Sequence, residues 1–280
     1  MREIQWETIR DTVADLAIRA NTILDERVEN AIRNACETEV SPVGRTILDQ
    51  LLDNSRIARE TRTPICQDTG LAVVFVKMGQ EVHVAGGCLA DAIHAGVAKG
   101  YTEGYLRKSV VRDPLDRVNT GDNTPAIIHY DIVPGDEFTI TVAPKGIGSE
   151  NMSRIFMMKP SQGLAGIRQA VLDTVEAAGS NACPPLVIGV GVGGNFEKCA
   201  QLAKEALLRP VGQYSTDPSW AAVEKNLLSA VNDLGIGPQG LGGRTTALWL
   251  AVETYPTHIG GMPVAVNINC HVARHESASL

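Results

Sequence analysis

The sequence predicts one α/β domain over residues 1–280, mixed helices and sheet with a mainly helical lead-in at 1–62. Three observations predict it. The apolar runs "LAVVFV" (71–76), "PPLVIGV" (184–190) and "PVAVNIN" (263–269) suit strands buried on both faces. Segments of helical period intermix with them along the chain. No Ser/Gly linker, low-complexity tract or obvious repeat divides the chain.

The elements follow in order. Residues 1–35 read as helix, with Ile4, Ile9, Val13, Leu16, Ala17 and Ala20 near helical spacing. A second helix is expected over 41–60, where Ser41-Pro42 offers an N-cap and a proline at the first helical position. Residues 70–79 form a buried strand, and the Ala-rich 86–105 returns to helix. Residues 124–146 predict a hairpin, because Pro134-Gly135-Asp136 supplies turn chemistry between two β-rich runs. Residues 162–179 read as helix with a glycine stop. "PPLVIGVGVGGN" is a strand ending in a Gly-rich turn, and "FEKCAQLAKEALL" is the helix after it. Asp217-Pro218 opens a helix to 234, and "TTALWLAVETYP" and "MPVAVNINC" are strands.

Composition narrows the function classes. The chain is 44% apolar and 20% charged, ordinary for a soluble globular protein. No apolar run is long enough to span a bilayer, and the charged start is unlike a signal peptide, so a cytoplasmic protein without a membrane role is expected. A net charge of −7 argues against nucleic acid as partner. An anionic substrate would need a local gathering of Arg and Lys. The six cysteines are widely spaced with no CxxC, which argues against a zinc ribbon.

Cys66, Cys183 and Cys270 each lie beside an apolar β-like run. Strand ends are where ligands gather in α/β folds. Three thiolates meeting at one point would leave one iron of a cubane cluster open as a Lewis acid. Buried small hydrophobes would explain the same spacing. Cys36, Cys88 and Cys199 have helical surroundings and read as packing residues. In "PICQDTG", Asp68 lies two residues after Cys66, on the same face of an extended segment. A carboxylate beside an anionic cluster keeps its proton more readily, as a general acid must. A plain turn capped by Asp68 and Thr69 is the alternative.

"LRKSVVRDPLDRVNTGDNTPA" gathers Arg107, Lys108, Arg112 and Arg117, one of which could pair with a carboxylate. "PKGIGSENMSR" offers a glycine turn able to hold an anion on its backbone N–H groups. Gly189, Gly191 and Gly194 fit GxGxxG, the basis for a different reading as a non-catalytic dinucleotide-binding module taking NAD. No acidic residue follows at the distance that fingerprint requires. His258 lies between two predicted strands.

"CQDTG", "KGIGSENMSR", "NACPPLVIGVGVGGN" and "THIGGMPVAVNINCHVARH" together resemble the iron–sulfur hydro-lyases, the class I fumarases and L-tartrate dehydratases. The resemblance runs from about residue 10 to the end and implies their N-terminal-type domain. It implies a [4Fe–4S] cluster on Cys66, Cys183 and Cys270, with Asp68 and His258 as catalytic residues. Gln67, Arg107, Gly146 and Gly148 would bind substrate. Single-chain members carry a second domain, and no counterpart is found before Leu280. The expectation is therefore an α subunit, active only with a β subunit in an α2β2 heterotetramer. The β subunit would supply the base on carbon. Hydration of fumarate to L-malate is the expected reaction, with L-tartrate dehydration to oxaloacetate as the alternative.

Overall fold

A computed structural model describes residues 2–280. Strand β1 (Arg2–Gln5) precedes helices α1 (Trp6–Thr22), α2 (Glu26–Thr38) and α3 (Pro42–Thr61). Strands β2 (Leu71–Gly79) and β3 (Val82–Ala85) lead to helix α4 (Leu89–Glu103). Strands β4 (Ile127–Val133) and β5 (Phe138–Lys145) precede the one-turn helix α5 (Ile147–Glu150) and strand β6 (Arg154–Met158). Helix α6 (Gly163–Ala178), strand β7 (Leu186–Gly194) and helices α7 (Phe196–Ala206) and α8 (Pro218–Asn232) follow. Strands β8 (Ala247–Thr257), β9 (Met262–Asn269) and β10 (Glu276–Ser279) complete the chain. The α/β class is as the sequence predicts. Among the described residues, no helix is long and apolar enough to cross a membrane.

The chain forms two compact units. Among the described residues, the first comprises 2–24, 55–147 and 274–280; the second comprises 25–54 and 148–273. The helical lead-in is thus shared, α1 going to the first unit and α2 to the second.

The first unit holds a four-stranded sheet in the order β10-β5-β2-β4 and the parallel pair β1-β3. Its core packs Val74, Val76, Ile140 and Val142 of the sheet with Ile9, Val13 and Leu16 of α1 and Ile93 and Val97 of α4. Two expectations are corrected. Residues 1–35 are not one helix. Arg2–Gln5 pairs with β3 instead, and Asp25 ends the run by accepting the N–H of Arg27 at 2.7 Å, capping α2. Residues 124–146 are not a hairpin, since β4 and β5 do not pair with each other. β2 lies between them, parallel to β4 and antiparallel to β5. The apolar β2 takes the centre, and the 134–137 loop arches over its end. Gly79 permits the crossing, because a Cβ there would lie 2.2 Å from the Gly135 carbonyl oxygen. β10 carries no apolar alternation in "ESAS"; it adds to β5 through its backbone and through Thr141–Ser277 and Thr139–Ser279 hydroxyl pairs.

The second unit holds the sheet β6-β9-β7-β8. β7 runs parallel to β8 and antiparallel to β9. Period two divides the faces of β7. Leu186, Ile188, Val190 and Val192 join the core with α6 and α8. Gly189 and Gly191 face α7, where a Cβ would lie 2.0 Å from the Ala203 carbonyl and 2.1 Å from that of Cys199. Close helix–strand packing therefore accounts for two of the three GxGxxG glycines.

Candidate functional site

The loop between α3 and β2 carries Cys66, Gln67 and Asp68. Backbone bonds fix it at several points. Ile65 donates its N–H to Asn21 O at 2.9 Å. Tyr101, fully buried, donates its hydroxyl to Thr69 O at 2.7 Å. Asn123, also buried, donates Nδ2 to Gly70 O at 3.1 Å, while its Oδ1 accepts the N–H groups of Ser109 and Val110. Gly70 has φ +72 and lies so close to Lys145 that a Cβ would be 2.5 Å from its carbonyl. Only glycine fits there.

Asp68 is half-buried, and both its carboxylate oxygens are engaged. Oδ1 accepts the N–H of Gly70 at 3.0 Å, and Oδ2 accepts that of Ile147 at 2.8 Å. Gly146 lies against Oδ2, where a Cβ would sit 3.2 Å away. The loop is thus a capped turn that also delivers a carboxylate to the glycine turn. Thr69 Oγ1 donates to the Arg107 carbonyl at 3.1 Å, which stitches Arg107 to the same loop with an exposed side chain. Gln67 is exposed beside Cys66. Lys108 turns its carbonyl to Asn119 Nδ2 at 3.0 Å, and Arg112 and Arg117 lie on the exposed loop beyond. The first unit therefore brings Cys66, Gln67, Asp68, Arg107 and Gly146 to one end of β2.

Sequence reasoning missed Arg274. It is buried, donates Nη2 to the Asp68 carbonyl and Nε to the Pro144 carbonyl at 3.3 Å, and its Nη1 has no partner. The residue stands within "CHVARH", but an Arg five places beyond the end of β9 gives no sign of such a role.

In the second unit, antiparallel pairing of Val187 with Asn269 puts the start of β7 and the end of β9 at the same end of the sheet. Cys183 precedes the one and Cys270 follows the other. His271 Nδ1 lies 3.1 Å from the Cys183 carbonyl, so the two loops touch. Cys183 is exposed with φ 53, ψ 64, a left-handed conformation that costs a non-glycine residue about 1–2 kcal/mol. Gly148 opens the second segment of this unit, a Cβ there meeting only the Asn181 carbonyl at 3.8 Å. Its neighbour Glu150 pairs with Lys204 and accepts from Asn267 at 3.2 Å, and Ser153 Oγ accepts the Ile268 N–H at 3.0 Å. The turn is tied to the strand that carries Cys270.

His258 is not brought to these cysteines. It follows β8, whose Thr257 pairs with Gly194 at the far end of β7. The nine residues of β7 separate the two ends by roughly 26 Å. Its Nδ1 accepts the Gly260 N–H at 3.0 Å, and it borders an open groove of about 560 Å³ with Lys198 and Tyr255.

Five of the six cysteines fall into two sets; Cys88, expected to be a packing residue, instead stands exposed at the N-cap of α4. None is in a disulfide. Cys199 is fully buried and donates to Phe196 O, and burial with Asp49 beside it pushes the Cys36 thiol up to about 11. Cys66, Cys183 and Cys270 sit on loops at strand ends, all at least partly accessible. Soft thiolates in such places suit an iron–sulfur group. Cys66 belongs to the first unit and the other two to the second; within neither do three His, Cys, Asp or Glu among the described residues gather as a metal site.

The profile of the family described as fumarate hydratase (Fumerase) matches residues 10–279. A Methanocaldococcus jannaschii protein with the provisional name L(+)-tartrate dehydratase subunit alpha is 41% identical over 272 residues, 95% of each chain. The L(+)-tartrate dehydratase subunit alpha of Escherichia coli is 32% identical over 270 residues, 95% of this chain and 88% of its own. With a match through nearly its whole length, and with the loop of Cys66 and Asp68 built against the glycine turn, the chain belongs to the fumarate hydratase (Fumerase) family.

Proposed function

We propose that this chain is the α subunit of a [4Fe–4S]-dependent hydro-lyase that interconverts fumarate and L-malate. The assembly of Gln67, Asp68, Arg107 and Gly146 beside Cys66 at one end of β2 carries the reading. Cys66, Cys183 and Cys270 would hold the cluster, which when bound supplies a Lewis-acid iron to the substrate hydroxyl.

The chain's own residues do the rest of its share. Arg107 and the backbone at Gly146 hold the carboxylates, a local positive site in a chain of net charge −7. The Gln67 amide orients the substrate. Asp68, fixed by two backbone N–H groups, gives its proton to the departing hydroxyl as the C–O bond breaks, and water leaves. The proton on the neighbouring carbon goes to a base on the β subunit. The relatives named subunit alpha support a two-subunit enzyme, expected as α2β2 in the cytoplasm.

L-Tartrate is the second reading, favoured by the names of those relatives. It differs from malate by one hydroxyl. The chain reconstituted anaerobically with its β partner should turn over fumarate. Activity on tartrate alone would replace fumarate with tartrate, and a colourless protein without iron would remove the cluster.

A further inference from the structure

Two residues of the second unit, far apart in sequence, share an unusual backbone. Cys183 has φ 53 and Gln239 has φ 52, ψ 17, both left-handed without being glycine. They meet across Pro184. The Pro184 carbonyl accepts two bonds from Gln239, one from its backbone N–H and one from its side-chain Nε2, each at 2.8 Å. The next glycine, Gly240, lies against Ser180, where a Cβ would be 2.4 Å from the serine Cβ. The Cys183 N–H returns to Ser180 O at 3.1 Å. The cysteine thus stands in a loop whose two sides are both gripped by residues 239–240.

That gripping loop is itself anchored. Glu39 is fully buried, and its carboxylate accepts the N–H groups of Val40, Ser41, Arg244 and Thr245 at 2.8–3.0 Å. Gly243 has φ +135 and touches the carboxylate, where a Cβ would be 2.7 Å from Oε1. The Thr246 carbonyl accepts the Leu186 N–H at 2.9 Å, closing the circuit onto β7.

We propose that Gln239 is the positioning residue of Cys183, holding the strained cysteine loop through the Pro184 carbonyl, with Glu39 anchoring the segment from which it acts. The inference rests on the reading of Cys183 as a cluster ligand. A left-handed position is costly to keep unless its surroundings determine it. Two hydrogen bonds to one carbonyl, next to a proline that has no N–H of its own, supply that determination.

Gln239→Gly and Gln239→Asn test it. Both residues tolerate a left-handed backbone, and neither can reach the Pro184 carbonyl with a side chain, so the fold is kept while the grip is lost. In the full chain without iron, hydrogen exchange of the 179–188 peptide should quicken about tenfold in both, as expected for losing one hydrogen bond, with Tm lowered by no more than a few degrees. In the chain reconstituted anaerobically with iron and sulfide, the visible absorption should decay about tenfold faster in a chelator. Unchanged exchange in both variants overturns the proposal, as does unchanged cluster lifetime where the parent chain holds iron. A parent chain that holds no iron refutes the cluster reading instead, and the exchange alone then decides whether Gln239 fixes the Cys183 loop.

Discussion

Arg274 grips the main-chain carbonyl of Asp68 from a buried position. The contact joins the C-terminal segment to the loop that carries the candidate acid, and the same guanidinium holds the Pro144 carbonyl at the end of β5. Arg274→Lys keeps the charge but replaces a planar fork by a single ammonium. We expect Tm to fall by several degrees and kcat by tenfold or more, about 1.4 kcal/mol of barrier. Steady-state kinetics beside calorimetry would check this; a variant with parental kcat would show that Asp68 needs no such hold.

Asp68→Asn should preserve the turn, since an amide oxygen can still accept one backbone N–H, yet it cannot pass on a proton as a carboxylic acid does. Activity should drop about 10²–10⁴-fold while bound iron stays constant. Activity retained within a few-fold would remove Asp68 as the proton donor.

Serine at Cys66, Cys183 or Cys270 should abolish bound iron, because a hydroxyl is a poor substitute for a thiolate. Cys199→Ser is the contrast. Its sulfur is buried against Ala203 and Ala265, so the change should lower stability and leave iron content alone. Iron and sulfide assays on the four variants decide; iron lost only with Cys199 would reverse the assignment.

Gly191→Ala separates packing from nucleotide binding. The added Cβ would lie 2.1 Å from the Cys199 carbonyl, so α7 must move. A loss of about 1–3 kcal/mol by denaturant titration is expected, with no NAD binding in either form. Parental stability would contradict the packing account, and NAD affinity lost on mutation would revive the dinucleotide reading.

Glu39 sets an acid limit. Burial works to raise its pKa, and the N–H groups of Arg244, Ser41 and Thr245 outweigh it, lowering the value from 4.5 to about 2. A depressed folded value means that the stabilisation is present above pH 4.5 and is lost as pH falls towards 2, roughly 3 kcal/mol in all. Glu39→Gln should be less stable than the parent at pH 7, with the gap closing below pH 4. A gap of constant size would show that the carboxylate's charge is not what the nest holds.

Much of this protein is written locally. Continuous apolar runs mark β2, β7 and β9, Ser41-Pro42 and Asp217-Pro218 mark the starts of helices, and "CQDTG" marks the loop that carries Asp68. Neighbours in the chain decide such features, so a single sequence determines them, together with the family. Pairing across the chain is a different matter. That β2 would enter between β4 and β5 depended on which strand could be buried on both faces, and turn chemistry at Pro134-Gly135 could not report it. Asp68 meets Ile147 across 79 residues, Arg274 reaches Asp68 across 206, and Gln239 reaches Pro184 across 55. His258 stands in a motif shared with Cys270 and yet at the other end of the sheet, because β9 runs from one to the other. The sequence determined which residues are candidates for chemistry. Only the tertiary structure decided which of them share an end of a sheet, because long-range contact follows strand order and direction, which periodicity along the chain does not encode.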